Sequence, residues 1–144
     1  FVPMNEDEFK HIAKALKPIA VEDFIIFAEV DGKAIGFSLA LPDFNQVLHK
    51  MDGTLFPTGI FKLLYYKGKI DLLRVIIMGV NKEYHKKGID AIFYQDIIKA
   101  GNRNGYKGAE ISWVLEDNYA MKQTSEKLGA HVYKTYRIYD LAIK

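Results

Sequence analysis

Lys82, His85, Lys86 and Lys87 crowd into one short stretch that leads directly into Gly88. Before them runs the apolar series Val75-Ile76-Ile77-Met78. After them Ile89, Ile92, Phe93 and Ile97 recur at helical spacing. A strand feeding a loop that ends in glycine at a helix start has one chemical capacity above others: it can hold an anion. The first amides of a helix lack internal partners and carry the positive end of its dipole, and glycine lets a ligand come close to the backbone. Taken alone, a Lys-Lys-Gly turn more often marks a solvated basic loop, so its surroundings decide the matter. The remaining chemistry-bearing groups are sparse. Glu116 and Asp117 precede Asn118 at another helix start, Glu110 lies earlier on the same strand, and His49 and His131 stand isolated as surface or packing residues. There is no Cys, which excludes a disulfide framework, a zinc-thiolate site and a thiol nucleophile.

The elements that position these groups follow from pattern. Asn5 and Glu8 form a capping-box arrangement for a helix carrying Phe9, Ile12, Ala13 and Leu16, which Pro18 ends. Phe24 to Val30 and Lys33 to Leu41 read as strands joined by Asp31-Gly32, a pair suited to a tight hairpin turn. One or two short helices follow between Pro42 and Ile70, with Phe44, Val47, Leu48 and Met51 on one face. Leu72 to Val80 reads as a strand buried on both faces. The helix after Gly88 is expected to reach Ala100, with Gly101 closing it. A strand over Gly108 to Leu115, a helix from Asn118 to Leu128 and a long final strand over His131 to Ile143 complete the order. The strand–helix–strand unit around Gly88 implies a parallel pair, and the early hairpin makes the sheet mixed.

The 144 residues suffice for one domain with a sizeable core. A net charge of +2 is too small to argue for nucleic acid. No apolar run approaches the roughly 20 residues of a membrane helix, so no membrane partner is expected. With no Cys and no visible signal peptide, a cytoplasmic setting is the expectation. The chain starts with Phe1 rather than Met and reads as a piece of a longer protein.

The stretch from Val80 to Asp90 resembles motif A of the GNAT acetyltransferases, in which a Gln/Arg-x-x-Gly-x-Gly/Ala turn follows the central strand. The spacing agrees from Val80 through Gly88. His85 stands where Gln or Arg is usual, and Asp90 where a small residue is usual. The run from Ser112 to Asn118, followed by a helix ending Lys127-Leu128-Gly129, is similar to the family's motif B. The hairpin at Asp31-Gly32, with Gly36 in its return strand, fits the usual second and third strands. Several runs, among them Trp113-Val114-Leu115-Glu116-Asp117-Asn118, are similar to an uncharacterised bacterial GNAT group. The resemblance implies an α/β (α+β) fold, a central mixed β-sheet flanked by helices, in a single acyltransferase domain over residues 1–144 that lacks its first strand.

It also implies a reaction: direct attack of a small-molecule or peptide amine on the thioester of acetyl-CoA, with no metal. Met78, Gly79 and Val80 would pair with the pantetheine amides. His85, Lys86, Lys87, Gly88, Ile89 and Asp90 would surround the pyrophosphate, and Asn118 would cap the last helix near the pantetheine arm. Asp90 would be harmless to the pyrophosphate if it points along the helix into solvent. The family's acidic Tyr falls at Ser125, with Tyr133 or Tyr136 on the final strand as substitutes. Glu116, beside the expected acetyl site, is the candidate base, and Glu110 a weaker one. A longer acyl chain from acyl-CoA or an acyl-carrier protein is the alternative donor, and a non-catalytic CoA-binding or interaction module the alternative role. The segment from Pro42 to Ile70, with Phe44, Leu48, Phe56, Phe61, Leu64 and Tyr65, is expected to wall an acceptor or acyl-chain cleft. Otherwise its large side chains must pack in the core or face a second subunit of a homodimer.

Overall fold

The computed structural model describes residues 5–51 and 58–141. It divides into two compact units, the first ending at Trp113 and the second beginning at Val114. In the first, α1 (Glu6–Leu16) is followed by β1 (Ile25–Val30), β2 (Lys33–Pro42), α2 (Asn45–Leu48), α3 (Thr58–Lys67), β3 (Leu72–Val80), α4 (Ile89–Arg103) and β4 (Gly108–Ile111). The sheet order is β1-β2-β3-β4, with β1, β2 and β3 antiparallel and β4 parallel to β3. This is the mixed sheet with flanking helices that the sequence implied.

Local chemistry explains the beginnings and ends. Asn5 Oδ1 accepts from the Glu8 amide and Glu8 returns the bond to the Asn5 amide, both at 2.9 Å, closing the capping box of α1. Asp31 and Gly32 both have positive φ, 52° and 72°, the geometry that lets a two-residue turn follow the strands' twist. The core lies between the sheet and α4: Phe24, Ala40, Leu73, Val75, Ile97 and Ala100 are buried together. Arg74 ties the strands on the opposite face, reaching Glu110 at 2.8 Å and Asp43 at 3.4 Å.

Several expectations are corrected. Gly101 does not close α4. The helix continues to Arg103 with Gly101 buried inside it, where an added Cβ would stand 3.2 Å from Leu73 Cδ1; glycine lets the helix press on the strand. Within α4, Ile92 is exposed and Tyr94 takes the buried place beside Phe93. Phe9 and Ile12 of α1 stay exposed. In β3, Leu73 and Val75 are buried but Ile76, Ile77 and Met78 only partly so.

The fourth strand is shorter than expected. It pairs with β3 only from Leu72↔Gly108 to Val75↔Ile111. At that level the β2–β3 register slips, since Ala40 faces Val75 while Leu39 faces Ile77. Ile76 is thus an extra residue, a bulge that bends and twists β3 away. In the second unit, α5 (Tyr119–Lys127) forms as expected, with Asn118 Oδ1 accepting from the Met121 amide at 3.3 Å. The final strand does not form: residues 130–141 have no regular structure, and Val132, Tyr136, Ile138, Tyr139 and Leu141 are exposed. A strand needs a neighbour for its backbone groups, and among the described residues of this unit there is no other strand.

The expectation that Phe56, Phe61 and Leu64 are not all exposed turns on Phe56, and the other large side chains between Pro42 and Ile70 divide. Val47 and Met51 are buried, but Leu48, Phe61, Leu64 and Tyr65 are exposed. Helix α3 turns Gly59, Leu63 and Tyr66 inward and leaves its other face to solvent. Phe56 lies outside the described residues.

Candidate coenzyme and acyl-transfer site

Where β4 leaves β3, the second half of β3 keeps a free edge. The backbone direction along that edge follows from one bond. The Asn81 amide donates to the Ile35 carbonyl at 2.8 Å, so at Asn81 the peptide faces β2. Peptide groups alternate sides along a strand, so Gly79 also faces β2. Met78 and Val80 then turn their N–H and C=O toward the side β4 has vacated. The Val80 carbonyl accepts from the His85 ring Nε2–H at 2.9 Å. Of the three residues expected to meet a pantetheine arm, Met78 and Val80 turn their backbone groups toward the uncovered side and Gly79 turns its own toward β2. Gly79 serves differently: no atom lies within 4 Å of where its Cβ would stand, so it leaves space above the sheet.

That space opens into a depression of about 350 Å³ lined by Phe27, Ile35, Phe37, Gly79, Val80 and Asn81. Phe27 and Phe37 are cross-strand partners with ring centroids 4.9 Å apart. The sequence reading did not single them out. Each strand carries one aromatic, but Phe27 lies three residues before Val30 and Phe37 four after Lys33, so only the extra residue at Ile35 brings them opposite.

The edge runs into the basic turn. A single 3₁₀ turn at Lys82–Tyr84 carries the chain to His85, and Lys86 and Gly88 both take left-handed conformations, φ 61° and 79°. Helix α4 starts at Ile89 with no side chain capping it. Its first internal bond is from the Ile92 amide to the Gly88 carbonyl at 3.2 Å, so the amides of the first helical turn, those of Ile89 and Ala91 among them, have no partner within the helix. Lys82, Lys86 and Lys87 are exposed, and Lys87 Nζ rests 4.5 Å from the Tyr84 ring centre. An uncapped helix start and three exposed lysines thus lie within one short stretch, an arrangement suited to an anion.

Asp90 does not simply point into water. It is half-buried, and its charge contributes to the raised pKa of Tyr94, one turn along α4. Burial first, and Asp90 second, push the Tyr94 hydroxyl up to about 12. That hydroxyl is buried without a hydrogen-bond partner.

The candidate acid and base residues are less organised. Glu110 is committed to Arg74. Glu116 is exposed in the turn before α5, its carbonyl accepting from Lys122 Nζ at 3.1 Å. Ser125 Oγ turns into its own helix, donating toward the Met121 and Lys122 carbonyls at 2.7 and 3.0 Å. Tyr133 is exposed on the irregular segment. Among the described residues no three acidic or imidazole side chains are grouped to hold a metal ion, and no helix is long and apolar enough to cross a membrane.

No protein-family model matches the chain. A bacterial ceramide synthase of Caulobacter vibrioides is 36% identical over 150 residues, covering 99% of this chain and 39% of that protein. Protein YghO of Escherichia coli is 35% identical over 149 residues, covering 99% and 38%. The chain thus spans about two fifths of the length of these relatives. Among solved structures, an aminoglycoside N-acetyltransferase in complex with CoA superposes with a TM-score of 0.59 at 17% identity, over 97% of both chains. A ribosomal-protein-alanine N-acetyltransferase from Brucella melitensis gives 0.60 at 12% identity, over 95% of this chain and 82% of that one. At these identities the likeness is one of fold.

Proposed function

We propose that this chain, which has the fold of the GNAT N-acetyltransferases, is the acyl-CoA-binding domain of an N-acyltransferase. One observation carries the reading: the edge of β3 at Met78 and Val80, which β4 does not cover, leads through a short basic turn to the uncapped start of α4 at Gly88. An extended amide-bearing arm ending in a pyrophosphate is the ligand that matches both parts at once. Met78 and Val80 pair with the arm as a missing strand would. The Ile89 and Ala91 amides take the pyrophosphate, with Lys86 and Lys87 alongside. The thioester then lies toward Gly79, where β3 and β4 part.

In the reaction an amine nitrogen attacks the thioester carbonyl, the carbon–sulfur bond breaks and the thiolate leaves. Backbone N–H groups at the splay are placed to stabilise the developing oxyanion. Glu116 is the proposed acceptor of the amine proton. The thiolate takes a proton from solvent or from Tyr133; Ser125 can serve only if it releases the carbonyls of its own helix. Most of the rate then comes from holding amine and thioester in contact, a contribution that can reach several powers of ten.

A second, more specific reading concerns the substrates. Likeness to a ceramide synthase over nearly the whole of this chain favours a long acyl donor over acetyl-CoA, and a long-chain amino alcohol over a small polar amine. The apolar depression beside Gly79, with Phe27 and Phe37 in its wall, suits a hydrocarbon better than a polar acceptor. Turnover by the full-length protein tests both readings, comparing acetyl-CoA with palmitoyl-CoA and a long-chain amino alcohol with a peptide N-terminus. Transfer from palmitoyl-CoA to the amino alcohol supports the lipid reading. Transfer only from acetyl-CoA sinks it and leaves the acyltransferase standing, and coenzyme binding without turnover reduces the domain to a binding module.

A further inference from the structure

Helix α3 is apolar on both sides, and only one side is covered. Gly59, Leu63 and Tyr66 face inward. Phe61, Leu64 and Tyr65 fall at i, i+3 and i+4 on the opposite side and are 71%, 70% and 63% exposed. Soluble surfaces seldom carry such a contiguous stripe without a partner for it. Among the described residues of this segment, the charged groups on the rim of the stripe are basic. Lys62 and Lys67 flank it on its two sides, at about 100° and 240° around the helix from Phe61. Lys69 lies 4.0 Å from the Tyr65 ring centre and donates to its hydroxyl at 2.8 Å. Residues 58–70 contain neither Asp nor Glu.

We propose that α3 docks this domain on an anionic lipid surface, contrary to the expectation of no membrane partner. Phe61, Leu64 and Tyr65 enter the boundary between headgroups and acyl chains, and Lys62, Lys67 and Lys69 stay at the level of the phosphates. An apolar centre within a basic rim matches the two layers of a bilayer interface. A second copy of the helix fits worse, because two basic rims would then face each other. A helix of 10 residues gives weak, reversible contact rather than anchoring. Such contact would bring the site to amines and acyl chains that partition into lipid. The proposal leans on the lipid-substrate reading only for that purpose, not for the surface itself.

Flotation of the full-length protein with vesicles tests it. One set is phosphatidylcholine alone, and in the other about a third of the lipid is phosphatidylglycerol. Binding is expected to rise with the anionic lipid and to fall with salt. The pair Phe61→Ser with Leu64→Ser, and separately Lys67→Glu with Lys69→Glu, should each weaken vesicle affinity at least about tenfold. Melting temperature and calorimetric CoA affinity of both variants should stay at the wild-type values. A wild type that ignores anionic vesicles, or variants that bind them equally well, would overturn the proposal. So would a wild-type dimer that the serine pair converts to monomer without any vesicle binding, which assigns the face to a second copy. Because CoA binding is measured on the same samples, loss of the docking result leaves the coenzyme reading intact, and the reverse also holds.

Discussion

Gly88 stands at the point where the proposed ligand turns from strand to helix, and its replacement separates two effects that are easily confused. The first is strain. At φ 79° a residue with a Cβ sits in the left-handed region, which costs about 1–2 kcal/mol and more for a β-branched side chain. Gly88→Val should therefore lower stability by about 2 kcal/mol. The second effect is occupancy. Beyond its chain neighbours no described atom lies within 4 Å of the missing Cβ, so a Cβ there has open space before it, the space a ligand at the start of α4 would use. If it blocks the Ile89 and Ala91 amides, two charge-assisted hydrogen bonds lost at about 1.5 kcal/mol each amount to a weakening of about a hundredfold. Gly88→Asn separates the effects, because Asn tolerates the left-handed region yet still projects a side chain. Its stability should stay within about 1 kcal/mol of wild type, while its CoA affinity falls as far as that of the Val variant. Calorimetric titration with CoA well below the melting temperatures, with scanning calorimetry on the same samples, measures both. A folded Asn variant that binds CoA as wild type does would refute the placement of the pyrophosphate at this turn.

Reversing charge at Lys86→Glu with Lys87→Glu should weaken CoA binding by about tenfold or more at low salt, with the difference shrinking as salt screens these exposed contacts; titrations at two ionic strengths check this. Tyr94→Phe should raise stability by about 1 kcal/mol, because it removes a buried hydroxyl that has no partner. The same variant should change the alkaline limit. A folded pKa raised to about 12 from the ordinary 10 means that this tyrosine's contribution is complete below pH 10 and is lost as pH rises through 12; melts between neutral and alkaline pH should show that loss in the wild type and not in the Phe variant. Glu116→Gln should lower kcat about a hundredfold while leaving CoA affinity unchanged, as removal of a general base does, read from turnover and titration on one preparation.

What the sequence disclosed follows from how far each signal reaches. Asn5 with Glu8, Asp31 with Gly32, Asn118 before α5 and the turn at Gly88 act within a few residues, and all four took the expected local form. The parting of β3 and β4 was another matter. It turns on an extra residue at Ile76, visible only once β2 is in register beside it. Whether Met78 or Gly79 faces the vacated edge depends on the same pairing. Gly101 carried an honest helix-stop signal, overruled by the demand of Leu73 for close approach. Alternation after His131 suggested a strand, but a strand exists only beside another, and α5 is the neighbour its unit supplies. For Phe61 and Leu64 the sequence recorded apolarity and could not say which neighbour would cover it.

The central claim is that one ligand spans the edge of β3 and the start of α4. A crystal structure of the full-length protein with a non-hydrolysable long-chain acyl-CoA analogue tests it most directly. The account predicts pantetheine amides hydrogen-bonded to the backbone of Met78 and Val80, the pyrophosphate on the Ile89 and Ala91 amides, and the acyl carbonyl near Gly79. A pyrophosphate bound away from Gly88, or an arm that leaves the β3 edge bare, would contradict it.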